Sequence, residues 1–445
     1  MDRYVYKIKQ LLLFFGILIS SASLQASEHY MFRLYLSDKG GEQSQGLTDV
    51  NAPLYKPYIQ KLEKQHKACS VTQSRWFNTV VLSVSDSSIV EQFKAHSFVD
   101  SVQWVWKGDT SLNLRKRVKQ EHMYPVDTPL KLKHGYATDQ IKMHRGDRLH
   151  AAGYQGDGLR IAVIDAGFKN VDQIGAFDSL RLEGTRNFVT PSRSVFEEDD
   201  HGTKVLSCMA ANIEGIMLGT APNAKYWLLK SEDPRSEYPV EEDYWVAAVE
   251  FADSVGVDVI SSSLGYFEFD NEQLEYPKTA LNGNTTLISR AATMASQRGI
   301  LLFSSAGNEG NGSWRQITFP ADAAQIVTVG AVTSSKKHST FSSVGFTADQ
   351  RVKPDVVAMG TSCCIINADG EVSYADGTSF STPILAGLAV CLWQALPHLS
   401  NIEMIALIQG MGNQYKKPDH ELGYGIPDVY KAYRKNRKKA ALHIN

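Results

Sequence analysis

Between His29 and Gly108 the spacing of apolar residues changes several times. "HYMFRLYLS" and "WFNTVVLSVS" alternate as half-buried strands do, and "LYKPYIQKLEKQHKA" and "SIVEQFKAHS" repeat at helical spacing. "VDSVQWVWKG" then closes the set as a strand. Residues 27–108 are therefore expected to form a small α+β unit of order β-α-β-α-β. Residues 109–134, "DTSLNLRKRVKQEHMYPVDTPLKLKH", are charged and aperiodic, which predicts an accessible linker. From residue 135 strand and helix patterns alternate. Strand "RIAVIDAG" precedes helix "GTKVLSCMAANI", "KYWLLK" precedes "EEDYWVAAVEFADSVG", and "VDVISSSLG" precedes "TLISRAATMASQRG"; strands "ILLFSSAGN" and "QIVTVGAVT" follow. Several of these strands are almost continuously apolar, as strands covered on both faces must be. The fold class is α/β, a doubly wound, mainly parallel sheet with helices on both faces, spanning 135–433. The basic run Arg434 to Lys439 opens an expected solvated tail, 434–445.

Composition adds compartment and excludes partners. Arg3, Lys7 and Lys9 precede an apolar core from Leu11 to Ile19 and small residues ending near Ala26, the anatomy of a signal peptide over 1–26. That core is too short to span a bilayer, which takes about 20 residues, and no stable membrane span is expected after its removal. No Cys lies near the cleavage point, which argues against lipid attachment there. The expected location is secreted or periplasmic. Lys and Arg total 46 against 48 Asp and Glu, so no global field draws the chain to nucleic acid. The five Cys, at 69, 208, 363, 364 and 391, form neither a disulfide framework nor a C-x-x-C metal spacing. Stability is left to packing.

Functional side chains of such sheets gather beyond the carboxyl ends of the strands. "IAVID" ends on Asp165, "ILLFSSAG" delivers Asn308, and "DDHGTKV" sets His201 at a helix start. "DGTSFSTP" crowds hydroxyls at the start of another helix, where they suit capping or, for Ser379, nucleophilic attack. A carboxylate, an imidazole, a hydroxyl and a carboxamide are the parts of an acyl-transfer site. Serine needs a base, the base needs a carboxylate to orient it, and the oxyanion needs donors.

"VIDAGF", "HGTKV", "SSSLGY", "SSAGNEG" and "GTSFSTPILAG" resemble, in order, the signature segments of subtilisin-like serine peptidases. "GTAPNA", "FPADAAQIVTVGAV" and "RVKPDVVAMG" extend the resemblance from about residue 135 to 433. The chain order Asp, His, Ser is also that family's. The resemblance implies a secreted endopeptidase made as a zymogen. Ser379 would be the nucleophile, His201 the general base and then acid, Asp165 the orienting carboxylate and Asn308 an oxyanion donor. It further implies peptide binding along Ser263, Leu264 and Gly265 and along Ser305, Ala306 and Gly307. Gly and Ala there predict a medium to large apolar P1 residue, the one on the acyl side of the cleaved bond. The unit 27–108 resembles the family's pro-segments and is expected to act as an intramolecular inhibitor, with cleavage in the linker. Polypeptides are the expected substrates of a monomer. No cofactor is required and no metal ligand can be named, although the family leaves room for a structural calcium ion. Two departures are visible. Ala166 follows Asp165 where many relatives carry Thr or Ser, and Asp376 stands where many carry Asn. An inactive homologue that only binds peptides is the alternative from another class, and an esterase the rival enzyme. Against the first stand all four groups, and against the second the triad order and the absence of G-x-S-x-G.

Overall fold

The computed structural model describes residues 29–40, 49–108, 121–122 and 129–440; the expected signal peptide and most of the linker lie outside the described residues. The first unit comprises β1 (His29–Leu36), α1 (Lys56–His66), β2 (Cys69–Ser74), β3 (Thr79–Val84), α2 (Val90–Lys94) and β4 (Val99–Gly108). Its antiparallel sheet runs β2-β3-β1-β4. Phe32, Leu34, Leu62, Leu82 and Phe93 form its small core. Strand β2, "CSVTQS", lies outside the expected pattern because it is polar on both faces. Partner and turn hold it instead: it pairs with β3 through a tight connection in which Asn78 adopts φ 52°, and the Asn78 amide donates to Leu36 O and Asp38 O.

The second unit follows β5 (Glu121–His122) and opens with α3 (Thr138–Lys142) and α4 (Gly146–Ala151). Then come β6 (Arg160–Asp165), β7 (Arg181–Asn187), α5 (His201–Ala210), β8 (Asn212–Ile213), β9 (Met217–Leu218), β10 (Lys225–Lys230) and α6 (Val240–Ser254). After these come β11 (Val259–Ser262), α7 (Leu287–Gln297), β12 (Leu301–Ser305), β13 (Val327–Val332), β14 (Val356–Met359), β15 (Cys363–Ile366) and β16 (Val372–Ala375). Helices α8 (Thr378–Ala395), α9 (Asn401–Gly410) and α10 (Val429–Ala440) complete it. Seven strands form one parallel sheet in the order β14-β13-β12-β11-β6-β10-β7. Alternate residues face opposite layers, as the period of two demands. Ile161, Val163 and Phe303 pack with Leu206, Met209 and Leu385 of α5 and α8, whereas Ala162, Ile164 and Leu302 pack with Trp245, Val249 and Ile288 of α6 and α7. The parallel, doubly covered sheet read from the sequence is borne out.

Polar edge strand β7, "RLEGTRN", is held by its register on β10 and carries no apolar signal of its own. Cys363 and Cys364 lie buried side by side in β15 as free thiols. Arg434 and Lys435 are exposed, as a solvated tail requires, yet they continue helix α10 across the expected boundary at 433.

The small unit docks its sheet on α6 and α7. The buried guanidinium of Arg33 forms a two-pronged bond with Asp243, 2.6 Å on each arm, and donates to Pro239 O. Glu250 of α6 accepts from the backbone N–H groups of Arg75 and Trp76 and from the Ser74 hydroxyl. Trp76, Val81, Val105 and Trp106 enter the α6–α7 hydrophobic layer.

Candidate active site

Strand order reverses direction at β6: the strands that follow it lie on both of its sides, so its carboxyl end opens into a crevice. Asp165 is the last residue of β6 and is fully buried. Its Oδ1 accepts from the Ala166 N–H at 2.8 Å and lies 2.6 Å from His201 Nδ1. Its Oδ2 is buried without a hydrogen-bond partner, on a carboxylate whose next residue, Ala166, has no hydroxyl to offer. Helix α5 begins at His201, whose N–H donates to Asp199 Oδ1 at 2.8 Å. The carboxylate fixes the imidazole by its inner nitrogen, leaving Nε2 toward the cleft that His201 and Ser379 both line.

The crowded hydroxyls of "DGTSFSTP" are not helix caps. No side chain caps α8 at Gly377. Thr378 Oγ1 donates to Asn308 Oδ1 at 3.0 Å, the Thr378 N–H donates to the same oxygen at 2.9 Å, and the Gly307 N–H donates to Thr378 Oγ1 at 3.2 Å. With its oxygen held twice, Asn308 has its amide N–H groups left for the cleft it lines. Ser381 and Thr382 return their hydroxyls to Thr378 O. Ser379, 8% exposed, donates through Oγ to Ser263 O at a long 3.3 Å.

Proline 383 explains a further contact. Having no N–H, it cannot bond the carbonyl four residues back, which is Ser379 O. The Ser263 hydroxyl donates to that carbonyl instead, at 2.8 Å, and so ties the end of β11 to the start of α8.

His201, Asn308 and Ser379 line one cleft, together with Ser263, Leu264, Gly265, Ser305 and Gly307, whereas Asp165, bonded to His201, and Ala306 are fully buried. Sequence reasoning missed Thr378 and Thr318. Thr378 was legible only as one hydroxyl among several, and Thr318 stands outside both peptide-binding segments in the sequence. Asp376, which stands where many relatives carry Asn, accepts from the Ser362 N–H at 2.7 Å. Among the described residues no group of three or more His, Cys, Asp or Glu side chains is placed to hold a metal ion.

A parallel α/β sheet with a buried carboxylate–imidazole pair beside a serine at a helix start is the architecture of a serine hydrolase. The chain belongs to the subtilase family, Peptidase S8, whose pattern matches residues 156–425. A second pattern, the Peptidase S8 propeptide domain of Bacteroidota, matches residues 36–123. Subtilisin NAT of Bacillus subtilis subsp. natto is 29% identical over 332 residues, 73% of this chain and 77% of that protein. Subtilisin DY of Bacillus licheniformis is 30% identical over 263 residues, 58% of this chain and 85% of that protein. Among solved structures, the epidermin leader peptide processing serine protease of Staphylococcus aureus matches with a TM-score of 0.66 at 17% identity, covering 92% of this chain and 98% of that one. The chain is thus a serine endopeptidase carrying a propeptide domain.

Proposed function

We propose that this peptidase is exported as a zymogen, to the periplasm or the medium, and that its mature monomer cleaves polypeptides through an acyl-enzyme on Ser379. The observation that carries the reading is the 2.6 Å Asp165–His201 contact at the lip of the cleft where Ser379 and Asn308 meet. Rotation about χ1 frees the Ser379 hydroxyl from its long bond to Ser263 O and turns it toward the imidazole, which takes the proton as Ser379 Oγ attacks the peptide carbonyl. Buried Asp165 favours the resulting imidazolium. The Asn308 amide and the Ser379 N–H, at the positive end of α8, receive the oxyanion. The imidazolium then gives its proton to the leaving amine, and a water attacks the ester by the reverse sequence.

The 27–108 unit is read as the inhibitor, the 109–134 linker as the processing region and 135–433 as the catalytic unit. The described residues that flank 109–120 both lie beside residues that line the cleft. Strand β4 ends at Gly108 near Asp270, and β5 pairs with β16, so that Glu121 lies opposite Ala375, while both Asp270 and Ala375 line the cleft. The basic run Arg115 to Lys119 lies outside the described residues. Its charge is opposite to that of Glu268, Asp270, Glu309 and Asp376 along the cleft.

N-terminal sequencing of purified protein, run beside casein-type turnover, tests processing and activity together. A mature chain beginning in 109–134 with turnover is expected, and a Ser379→Ala protein should show neither. An intact N-terminal unit on a fully active enzyme removes the zymogen reading, and turnover by the Ser379→Ala protein removes the nucleophile.

A further inference from the structure

We infer that Thr318 closes the floor of the P1 slot and restricts the cleaved residue to small side chains such as Ala and Ser, an inference that rests on the peptide-binding reading above. Strands β11 and β12 are paired through Ser262 and Ser304, and beyond that pair their continuations, Ser263 to Gly265 and Ser305 to Gly307, frame the slot. Residues 317–319 are stitched across it. The Thr318 N–H donates to Ala306 O at 3.1 Å, the Phe319 N–H donates to Tyr266 O at 3.0 Å, and the Tyr266 N–H donates to Phe319 O at 2.9 Å. The Thr318 side chain therefore lies between the two framing segments.

The two glycines gauge how fully it fills that space. A Cβ on Gly265 would sit 2.1 Å from Thr318 Oγ1, and one on Gly307 would sit 2.8 Å from Thr318 Cγ2. One branched side chain thus touches both walls. Gly307 also has φ 104°, so no larger residue replaces it without strain. Nor can the floor drop. Beneath it Tyr266 and Phe319 are 1% and 0% exposed, and the Tyr276 ring packs edge-on to Phe319 at 5.1 Å. Thr318 is itself 3% exposed, and its hydroxyl has no hydrogen-bond partner, a buried polar group beside the slot that the fold leaves unused. The small residues of the walls suggested from sequence a slot for a medium to large apolar side chain. Thr318 occupies the room they leave.

Peptides that differ only at P1, with Ala, Ser, Leu or Phe, are to be compared by kcat/KM on the processed wild-type enzyme and on Thr318→Gly. Wild type should favour Ala and Ser over Leu and Phe by about 10-fold or more, the scale of discrimination that pocket size alone provides. The Thr318→Gly enzyme should reverse that order, its Leu/Ala and Phe/Ala ratios of kcat/KM rising by about 10-fold or more. A wild-type enzyme that cleaves after Phe or Leu as fast as after Ala overturns the inference. So does a glycine variant with an unchanged ratio. If the variant fails to fold, the wild-type profile still decides. Absence of turnover on every peptide would strike the peptidase reading itself, a result separable from any P1 order.

Discussion

At the scale of single residues, the proposed mechanism divides the site into groups that carry the reaction and groups that aim them. Ser379→Ala should lower turnover about 10⁶-fold and Asn308→Ala about 10²–10³-fold; both figures are those known for subtilisin's own nucleophile and oxyanion donor, so the ordering is the test. Thr378 belongs to the aiming class. Thr378→Ala leaves Asn308 with one of its two anchors, so kcat should fall about 3–10-fold with KM nearly constant, on the scale of one hydrogen bond. An equal rise in KM would place Thr378 in substrate binding instead. Asp165, His201, Asn308 and Ser379 were legible because each sits in a short motif at a strand or helix end. Thr318 and Thr378 were not, because their work is defined by partners that only the folded chain brings near.

Elements were legible to the degree that they bury apolar surface on their own. Helix α8 and strands β6, β11, β12 and β13 announce themselves by apolar runs, and each was read where it lies. Polar edge strands β2 and β7 depend on the neighbour that pairs them, so periodicity carries no trace of them. The joint between β11 and α8 was equally hidden, although Pro383 was in view. Ser263→Ala leaves the buried Ser379 carbonyl without its donor, so stability measured by urea denaturation should fall by about 1–3 kcal/mol. An unchanged midpoint would show that the carbonyl finds another partner.

For the whole molecule, the docked unit and the buried histidines set how the protein responds to processing and pH. Arg33→Ala strands Asp243 in the interface without its guanidinium, so the isolated 27–134 fragment carrying that change should inhibit mature enzyme at least about 100-fold more weakly than the unchanged fragment. Equal inhibition would place the docking energy in the apolar contacts alone. His134 and His144 are both pushed down to about 4, chiefly by burial. The unfolded chain, with histidines near 6.5, therefore binds more protons between those values. Stability should be complete above about pH 6.5 and fall by about 1.4 kcal/mol per pH unit per residue down to about pH 4. Denaturation of the Ser379→Ala protein at pH 7.5 and 4.5 checks the sign, and His144→Gln should flatten the slope; a midpoint that rises on acidification contradicts it. The central claim is that one serine, Ser379, performs the chemistry. Processed enzyme treated with a fluorophosphonate and mapped by peptide mass spectrometry tests it most directly. One adduct per chain on Ser379, formed in step with the loss of peptidase activity, is the predicted result. Full inactivation with the adduct on any other residue, or full activity with Ser379 labelled, would contradict it.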